Sequence, residues 1–142
     1  MAQPDVSNDD AYTVAWRLYR VTDEARQAFD ETAAEHGLTA VQARSVLRLF
    51  EAIPMGALAS HLACDASNVT GVADRLIERG LVVSRPGADR RVKLLELTTR
   101  GEQVRTTLQR SIAISSPTMT RLTASERRQL VVLLDKLLAA AG

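Results

Sequence analysis

One stretch of this chain, residues 55–101, allows very few folds. Its apolar residues first recur every three or four positions, which predicts two short helices separated by a tight turn. Two apolar runs rich in Leu and Val follow, and the pair Pro86-Gly87 between them favours a turn. The predicted segments are a helix over 55–63, a helix capped by Asp65 and closed by Gly80, and strands at 81–83 and 92–97. Two helices followed by a hairpin predict a winged helix-turn-helix.

Helices are predicted on both sides of this stretch. From about Asp9 to His36 the apolar residues again step by three or four, and Gly37 ends the helix. Three matches to a capping box indicate further helix starts, at Thr39–Gln42, Thr99–Glu102 and Thr123–Glu126. Thr98 is a second candidate cap beside Thr99. The second helix is expected to run to about Phe50, with an inward face of Val41, Val46, Leu47 and Phe50. The last helix carries a leucine stripe of Leu130, Leu133, Leu134, Leu137 and Leu138.

The predicted fold class is therefore mainly α-helical with a small antiparallel β wing, in one domain over residues 1–142. Residues 38–102 are the winged helix-turn-helix core, and the helices of 9–37 and 103–142 are expected to dimerise. A compact winged core cannot cover the apolar faces of both terminal helices, whereas a second copy of the chain can. The alternative is a monomeric bundle of the first helix and the last two.

The charge distribution favours a polyanionic partner. The formal charge is only +1, but residues 1–40 carry eight acidic residues and three arginines, so the remainder of the chain carries +6. Residues 75–93 concentrate this charge in Arg75, Arg79, Arg85, Arg90, Arg91 and Lys93, against Glu78 and Asp89. Such a local patch matches a phosphate backbone better than the net charge suggests.

The second helix of the pair has the composition of a DNA recognition helix. Its outward positions are predicted to be Ser67, Asn68, Thr70, Gly71, Asp74 and Arg75. Asn forms a bidentate contact with adenine, and Ser or Thr contacts bases or phosphates. Gly71 leaves room for close approach of a duplex. The alternative is that these residues form an ordinary solvated helix face.

The predicted hairpin tip places Arg90 and Arg91 where a narrow minor groove would attract guanidinium groups. Asp89 is expected to pair with Arg91 and to orient it. The alternative is that these charges only keep an exposed strand edge soluble.

The motifs Asp65-x-Ser-Asn-Val-Thr70, Asp89-Arg-Arg91 and Leu95-Glu-Leu-Thr98 with Gly101 resemble those of the multiple-antibiotic-resistance regulator (MarR) family. The resemblance covers nearly the whole chain. It implies a homodimer that binds double-stranded DNA at an inverted repeat, usually as a repressor that a small molecule or oxidant releases. It also implies that Arg91 enters the minor groove, that Asp89 braces it, and that the recognition helix occupies the major groove.

The signals for an effector are weaker. Trp16 and Tyr19 are candidate walls of a pocket for an aromatic small molecule, with core or interface packing as the alternative. Cys64, the single cysteine, is a candidate redox residue because it precedes a helix. In those members of the family that have a reactive cysteine, however, it lies near the start of the first long helix. The alternative is a small buried packing residue. His36 and His61 lack metal-site spacing, so no metal or cofactor is expected.

The sequence also argues against other protein classes. It has no phosphate loop, no Ser/His/Asp arrangement and no paired catalytic carboxylates, so an enzyme is not expected. The N-terminus is acidic and polar, and no apolar run approaches the roughly 18 residues of a membrane span, so the prediction is a cytoplasmic protein without membrane contact. A winged-helix module for protein–protein contact remains the alternative function.

Overall fold

The computed structural model describes residues 8–62 and 66–139. In chain order the elements are α1 (Asn8–Glu35), α2 (Ala40–Arg48), β1 (Ile53–Pro54), α3 (Met55–Leu62), α4 (Ala66–Glu78), β2 (Val82–Pro86), β3 (Lys93–Leu97), α5 (Thr99–Ser115), α6 (Pro117–Thr120) and α7 (Ala124–Ala139). The predicted class, mainly helical with a small antiparallel wing, is confirmed. None of the described helices is long and apolar enough to cross a membrane.

The chain divides into two compact units. The helical unit contains the residues up to Phe29 and those from Ala113 onwards, and the wing unit contains Asp30–Ile112. The division falls within α1 and α5, so both helices contribute residues to both units. The wing unit thus contains the helix-turn-helix and the whole sheet.

Helix starts follow local side-chain chemistry. At α2 the Gln42 N–H donates to Thr39 Oγ1 (3.2 Å) and the Thr39 N–H donates to Gln42 Oε1 (3.1 Å), so the predicted capping box is confirmed. The same reciprocal pair joins Thr123 and Glu126 at α7, at 2.8 and 3.2 Å. Each box satisfies two N–H groups that the helix itself cannot.

The predicted box at Thr99–Glu102 is wrong. Thr99 is already helical, and the cap of α5 is Thr98, whose Oγ1 accepts a hydrogen bond from the Gly101 N–H at 3.0 Å. Glu102 instead lies 4.0 Å from the guanidinium of Arg105. A threonine pair offers two cap positions, and the end of β3 decides between them.

The inward prediction for Phe50 is also wrong, because 67% of this residue is exposed. Helix α2 ends at Arg48, and Leu49 leaves helical geometry at ψ 65° and is itself buried. Phe50 therefore lies outside the helical period that would have turned it inward. Its ring instead contacts the guanidinium of Arg105, 5.6 Å from the ring centroid.

The sheet has three antiparallel strands in the order β1-β3-β2. Strands β2 and β3 pair from Val82 opposite Leu97 to Pro86 opposite Lys93. The sequence did not indicate β1, because two residues are too few to show a strand period. The buried residues of the wing unit lie beneath this sheet and between its helices, and they include Leu58, Leu76, Leu95 and Leu108.

Candidate nucleic-acid interface

Helix α4 separates an apolar face from a polar one. Val69, Ala73 and Leu76 are buried, which holds the helix on the wing unit. The opposite face is exposed and consists of Asn68, Thr70, Gly71, Asp74 and Arg75. Ser67 belongs to the first turn of α4, but its side chain lies outside the described residues, as do Cys64 and Asp65 altogether. The structure therefore presents most of the predicted recognition residues on one solvent-facing surface.

The start of α4 is tied to the start of α3. The Thr70 hydroxyl donates to the sulfur of Met55 at 3.5 Å, a contact between residues fifteen positions apart. This bond limits the rotation of the Thr70 side chain on the exposed face. Gly71, one residue further on, has no atom within 4 Å of the position that a Cβ would take. A side chain at position 71 is therefore unobstructed by the described parts of the protein.

The hairpin tip is closed by three hydrogen bonds. The Gly87 N–H donates to the Val92 carbonyl at 2.8 Å, and the Val92 N–H donates to the Asp89 carbonyl at 2.9 Å. The Asp89 carboxylate accepts from the Arg91 backbone N–H at 3.0 Å. An aspartate that accepts from the amide two residues on forms a local turn. These hydrogen bonds give the backbone of the tip between β2 and β3 a defined turn conformation.

Asp89 contacts Arg91, but not through the predicted pair of side chains. Asp89 holds the backbone of Arg91, and the described residues contain no ion pair between the two side chains. Arg90 and Arg91 are both exposed, and neither guanidinium forms an ion pair within the described part of the chain. The turn therefore presents two adjacent cations to solvent.

Two other arginines of the basic region are already bound within the protein. Arg79 Nη1 donates to the Gly37 carbonyl at 2.5 Å, which ties the end of α4 to the chain after α1. Arg85 Nε lies 3.1 Å from Glu96 Oε2, across the two strands of the wing. Among the described residues, the basic side chains of 75–93 that form neither an ion pair nor a hydrogen bond are Arg75, Arg90, Arg91 and Lys93.

The base of the wing is fixed by Thr98 and Gly101, which the sequence indicated only as a candidate helix cap and as part of a motif. The Thr98 hydroxyl donates to the Gly80 carbonyl at 2.6 Å, and the Thr98 N–H donates to the Leu81 carbonyl at 3.0 Å. Gly101 is buried so close to Leu81 that a Cβ would lie 2.0 Å from its carbonyl oxygen. These contacts join α5 to the turn between α4 and β2. In the sequence, the pattern Thr-x-x-Gly after a strand could have indicated this junction.

The remaining candidate residues are not brought together into a site. Trp16 and Tyr19 are 55% and 68% exposed in the helical unit. His36 Nε2 lies 3.2 Å from Ser111 Oγ, whereas His61 is exposed at the end of α3. Among the described residues no group of three or more His, Cys, Asp or Glu side chains could hold a metal ion.

Comparison with known proteins gives a consistent result. The family model described as MarR family matches residues 38–93. Wild-type MarR from E. coli in its apo form is 26% identical, with a TM-score of 0.74 over 87% of this chain and 95% of that chain. A mutant MarR from E. coli complexed with operator DNA is 24% identical, with a TM-score of 0.70 over 94% of this chain and 99% of that chain.

A MarR family transcriptional regulator from Streptomyces coelicolor is 23% identical, with a TM-score of 0.76 over 94% of this chain and 96% of that chain. No curated protein sequence matches this chain significantly. Residues 38–93 therefore match the MarR family model, within a chain that has the winged-helix fold of MarR family transcriptional regulators.

Proposed function

We propose that this chain is a homodimeric transcriptional regulator that binds double-stranded DNA at an inverted repeat, represses a nearby gene and is released by a small-molecule ligand. The observation that carries the DNA-binding part is the pair Arg90 and Arg91, exposed and without ion-pair partners in the described residues, on an ordered turn beside a polar helix face. The likeness to a MarR complexed with operator DNA supports the same reading of this surface.

The two surfaces have different tasks in this proposal. The exposed residues of α4 lie in the major groove, where Asn68 reaches base edges and the absence of a side chain at Gly71 allows close approach. The wing lies beside the minor groove, where Arg91 meets the negative potential. Asp89 positions Arg91 through its backbone, so the guanidinium stays available for the duplex.

Dimerisation is supported by apolar surface in the helical unit. Helix α7 has no buried residue, although it is sixteen residues long and rich in leucine. Large apolar residues are exposed on α7 at Val131, Val132, Leu133, Leu137 and Leu138, and on α1 at Tyr12, Val14, Trp16, Leu18, Tyr19 and Val21. Exposed apolar residues in such number on two helices are typical of an interaction surface in a globular protein. A twofold dimer would also place two recognition helices about one DNA turn, roughly 34–36 Å, apart.

The first test is selection of bound duplexes from a random DNA pool with wild type and Arg91→Ala in parallel. Wild type is expected to enrich an inverted repeat, and Arg91→Ala to weaken binding to it by about 1–3 kcal/mol if the side chain makes a specific groove contact. Arg85→Ala is the matched control, because it removes the same charge from an arginine that Glu96 already binds. No enrichment at low salt would favour a protein-interaction module instead.

The dimer is tested separately by size-exclusion chromatography with light scattering. Wild type is expected at twice the chain mass of 15.5 kDa. Leu137→Glu should give a monomer, because burying a charge in an apolar interface is costly. Gln129→Glu is the control, because it introduces the same residue, glutamate, at another exposed position of α7. A monomeric wild type at micromolar concentration would overturn the dimer.

A further inference from the structure

The Thr70 hydroxyl reaches from the recognition helix α4 to the neighbouring helix α3. Its Oγ1 lies 3.5 Å from the sulfur of Met55, fifteen positions earlier in the chain. The Ser45 hydroxyl, by contrast, donates within its own helix, to the Val41 carbonyl at 2.7 Å. The contact between Thr70 and Met55 therefore depends on how α3 packs against α4, and not on the geometry of one helix.

The chemistry of sulfur fixes the direction of this hydrogen bond. A thioether has no hydrogen on its sulfur and can only accept, so the Thr70 hydroxyl is the donor. A hydroxyl has one proton and two lone pairs. Because its proton points toward Met55, the exposed Thr70 side chain presents an acceptor to an approaching ligand.

The position of the sulfur is set by the sheet. Met55 is the first residue of α3 and directly follows Pro54, which pairs with Leu94 of the central strand β3. The Met55 side chain is half-buried, so the surrounding protein restricts its movement. The acceptor for the Thr70 proton is thus supplied by the scaffold that carries both helices.

The polarity of Thr70 has a consequence in the major groove. Thr70 lies on the same exposed face of α4 as Asn68 and Gly71. In the major groove the amino groups of adenine and cytosine are donors, whereas O6 of guanine and O4 of thymine are acceptors. A hydroxyl whose proton is directed into the protein matches the amino groups and opposes the two carbonyl oxygens.

We infer that Thr70 is a specificity-determining residue that accepts a hydrogen bond from the amino group of an adenine or a cytosine. Met55 is its positioning residue, because the sulfur keeps the hydroxyl proton directed away from the DNA. This inference rests on the proposed DNA-binding function and deepens it, since it assigns a class of base to one residue. Met55 acts on base choice through Thr70.

The test is selection of bound duplexes from a random DNA pool with the full chain as wild type, Thr70→Val and Met55→Leu. The operator position at which Thr70→Val loses base preference identifies the base that Thr70 reads. Wild type is expected to prefer adenine or cytosine there by about two- to fivefold, the range for one neutral hydrogen bond set against a weak sulfur acceptor. Met55→Leu conserves volume but removes the acceptor, so the preference should disappear at the same position.

Met119→Leu is the matched control, because it makes the same substitution at a half-buried methionine of the helical unit, and it should keep the wild-type preference. Thermal melting checks that each variant is folded. A purely structural role for Met55 would weaken binding to all sequences alike and leave the base preference unchanged.

The outcomes separate this inference from the proposed function. If wild type enriches no inverted repeat, the proposed function fails and the inference fails with it. If wild type does enrich a repeat, three results overturn the inference alone: Thr70→Val changes no base preference, wild type prefers guanine or thymine at the position read by Thr70, or Met55→Leu keeps the wild-type preference there.

Discussion

Replacing Gly101 by alanine tests the junction that fixes the wing to α5. The new Cβ would lie 2.0 Å from the carbonyl oxygen of Leu81 and 3.0 Å from its carbonyl carbon. Both atoms belong to the backbone, so neither can rotate away. Because a relaxed carbon–oxygen contact is about 3.3 Å, the first turn of α5 must move by about 1.3 Å.

The magnitude follows from what this movement disturbs. Forcing an extra methyl group into a packed site costs about 1–3 kcal/mol. The movement also breaks the Gly101 N–H bond to Thr98 Oγ1, and the loss of such a helix cap costs about 1 kcal/mol. The free energy of unfolding should therefore fall by about 2–4 kcal/mol. With an unfolding entropy of about 0.3 kcal/mol/K for a chain of this length, Tm should fall by roughly 7–13 °C.

Gly71→Ala is the matched control, since the same methyl group meets nothing within 4 Å on the exposed face of α4. Alanine in an exposed helix is more favourable than glycine by up to about 1 kcal/mol, so Tm should rise by roughly 3 °C. Circular dichroism melts at equal protein concentration measure both changes, because dimerisation would make Tm concentration-dependent. A Gly101→Ala variant that melts within about a degree of wild type would refute the reasoning.

Three further predictions concern the tip, the last helix and the electrostatics. Asp89→Ala should weaken operator binding in fluorescence anisotropy because it removes the acceptor for the Arg91 N–H, whereas Asp89→Asn keeps an acceptor; equal losses would contradict the turn. Hydrogen bonds from the backbone and side chain of Thr123 lower the pKa of Glu126 below 4.5, so its stabilising effect is complete above that pH and is lost as the pH falls through the lowered value. Urea titrations should thus show that the stability difference between wild type and Glu126→Gln shrinks below about pH 4.5, and a constant difference would argue against it. If a dimer neutralises roughly 6–10 phosphates, log affinity should fall with log salt at a slope of about −0.9 per phosphate, and a flat response would exclude the electrostatic account.

The helices and the wing were predictable from the sequence because their signals are local. The capping boxes at Thr39 and Thr123 bind amides three residues away, and the apolar period of α4 depends only on residues within the same helix. These interactions form with the same geometry wherever the helix lies in the protein. The fold class and the positions of most elements could therefore be predicted from the sequence.

The incorrect or missing predictions depend on contacts that are distant in the chain. Strand β1 exists because Ile53 pairs with Leu95. Of the two candidate caps of α5, Thr98 rather than Thr99 is used because the Thr98 backbone is already bound to Leu81. Phe50 is exposed because the backbone leaves the helix one residue earlier, at Leu49. No local pattern contains this information, since each outcome is set by a neighbouring element.

The sequence by itself determined that a basic hairpin follows an amphipathic helix with a polar outer face. Only the tertiary structure decided which of the arginines in that region remain available to a ligand. In the sequence, nothing distinguishes Arg79 and Arg85 from Arg90 and Arg91. Folding, however, brings Arg79 to the Gly37 carbonyl and Arg85 to the carboxylate of Glu96. A charge that is satisfied within the protein contributes less to an external partner, and that satisfaction is set by which distant backbone and side-chain groups the fold brings within hydrogen-bonding distance.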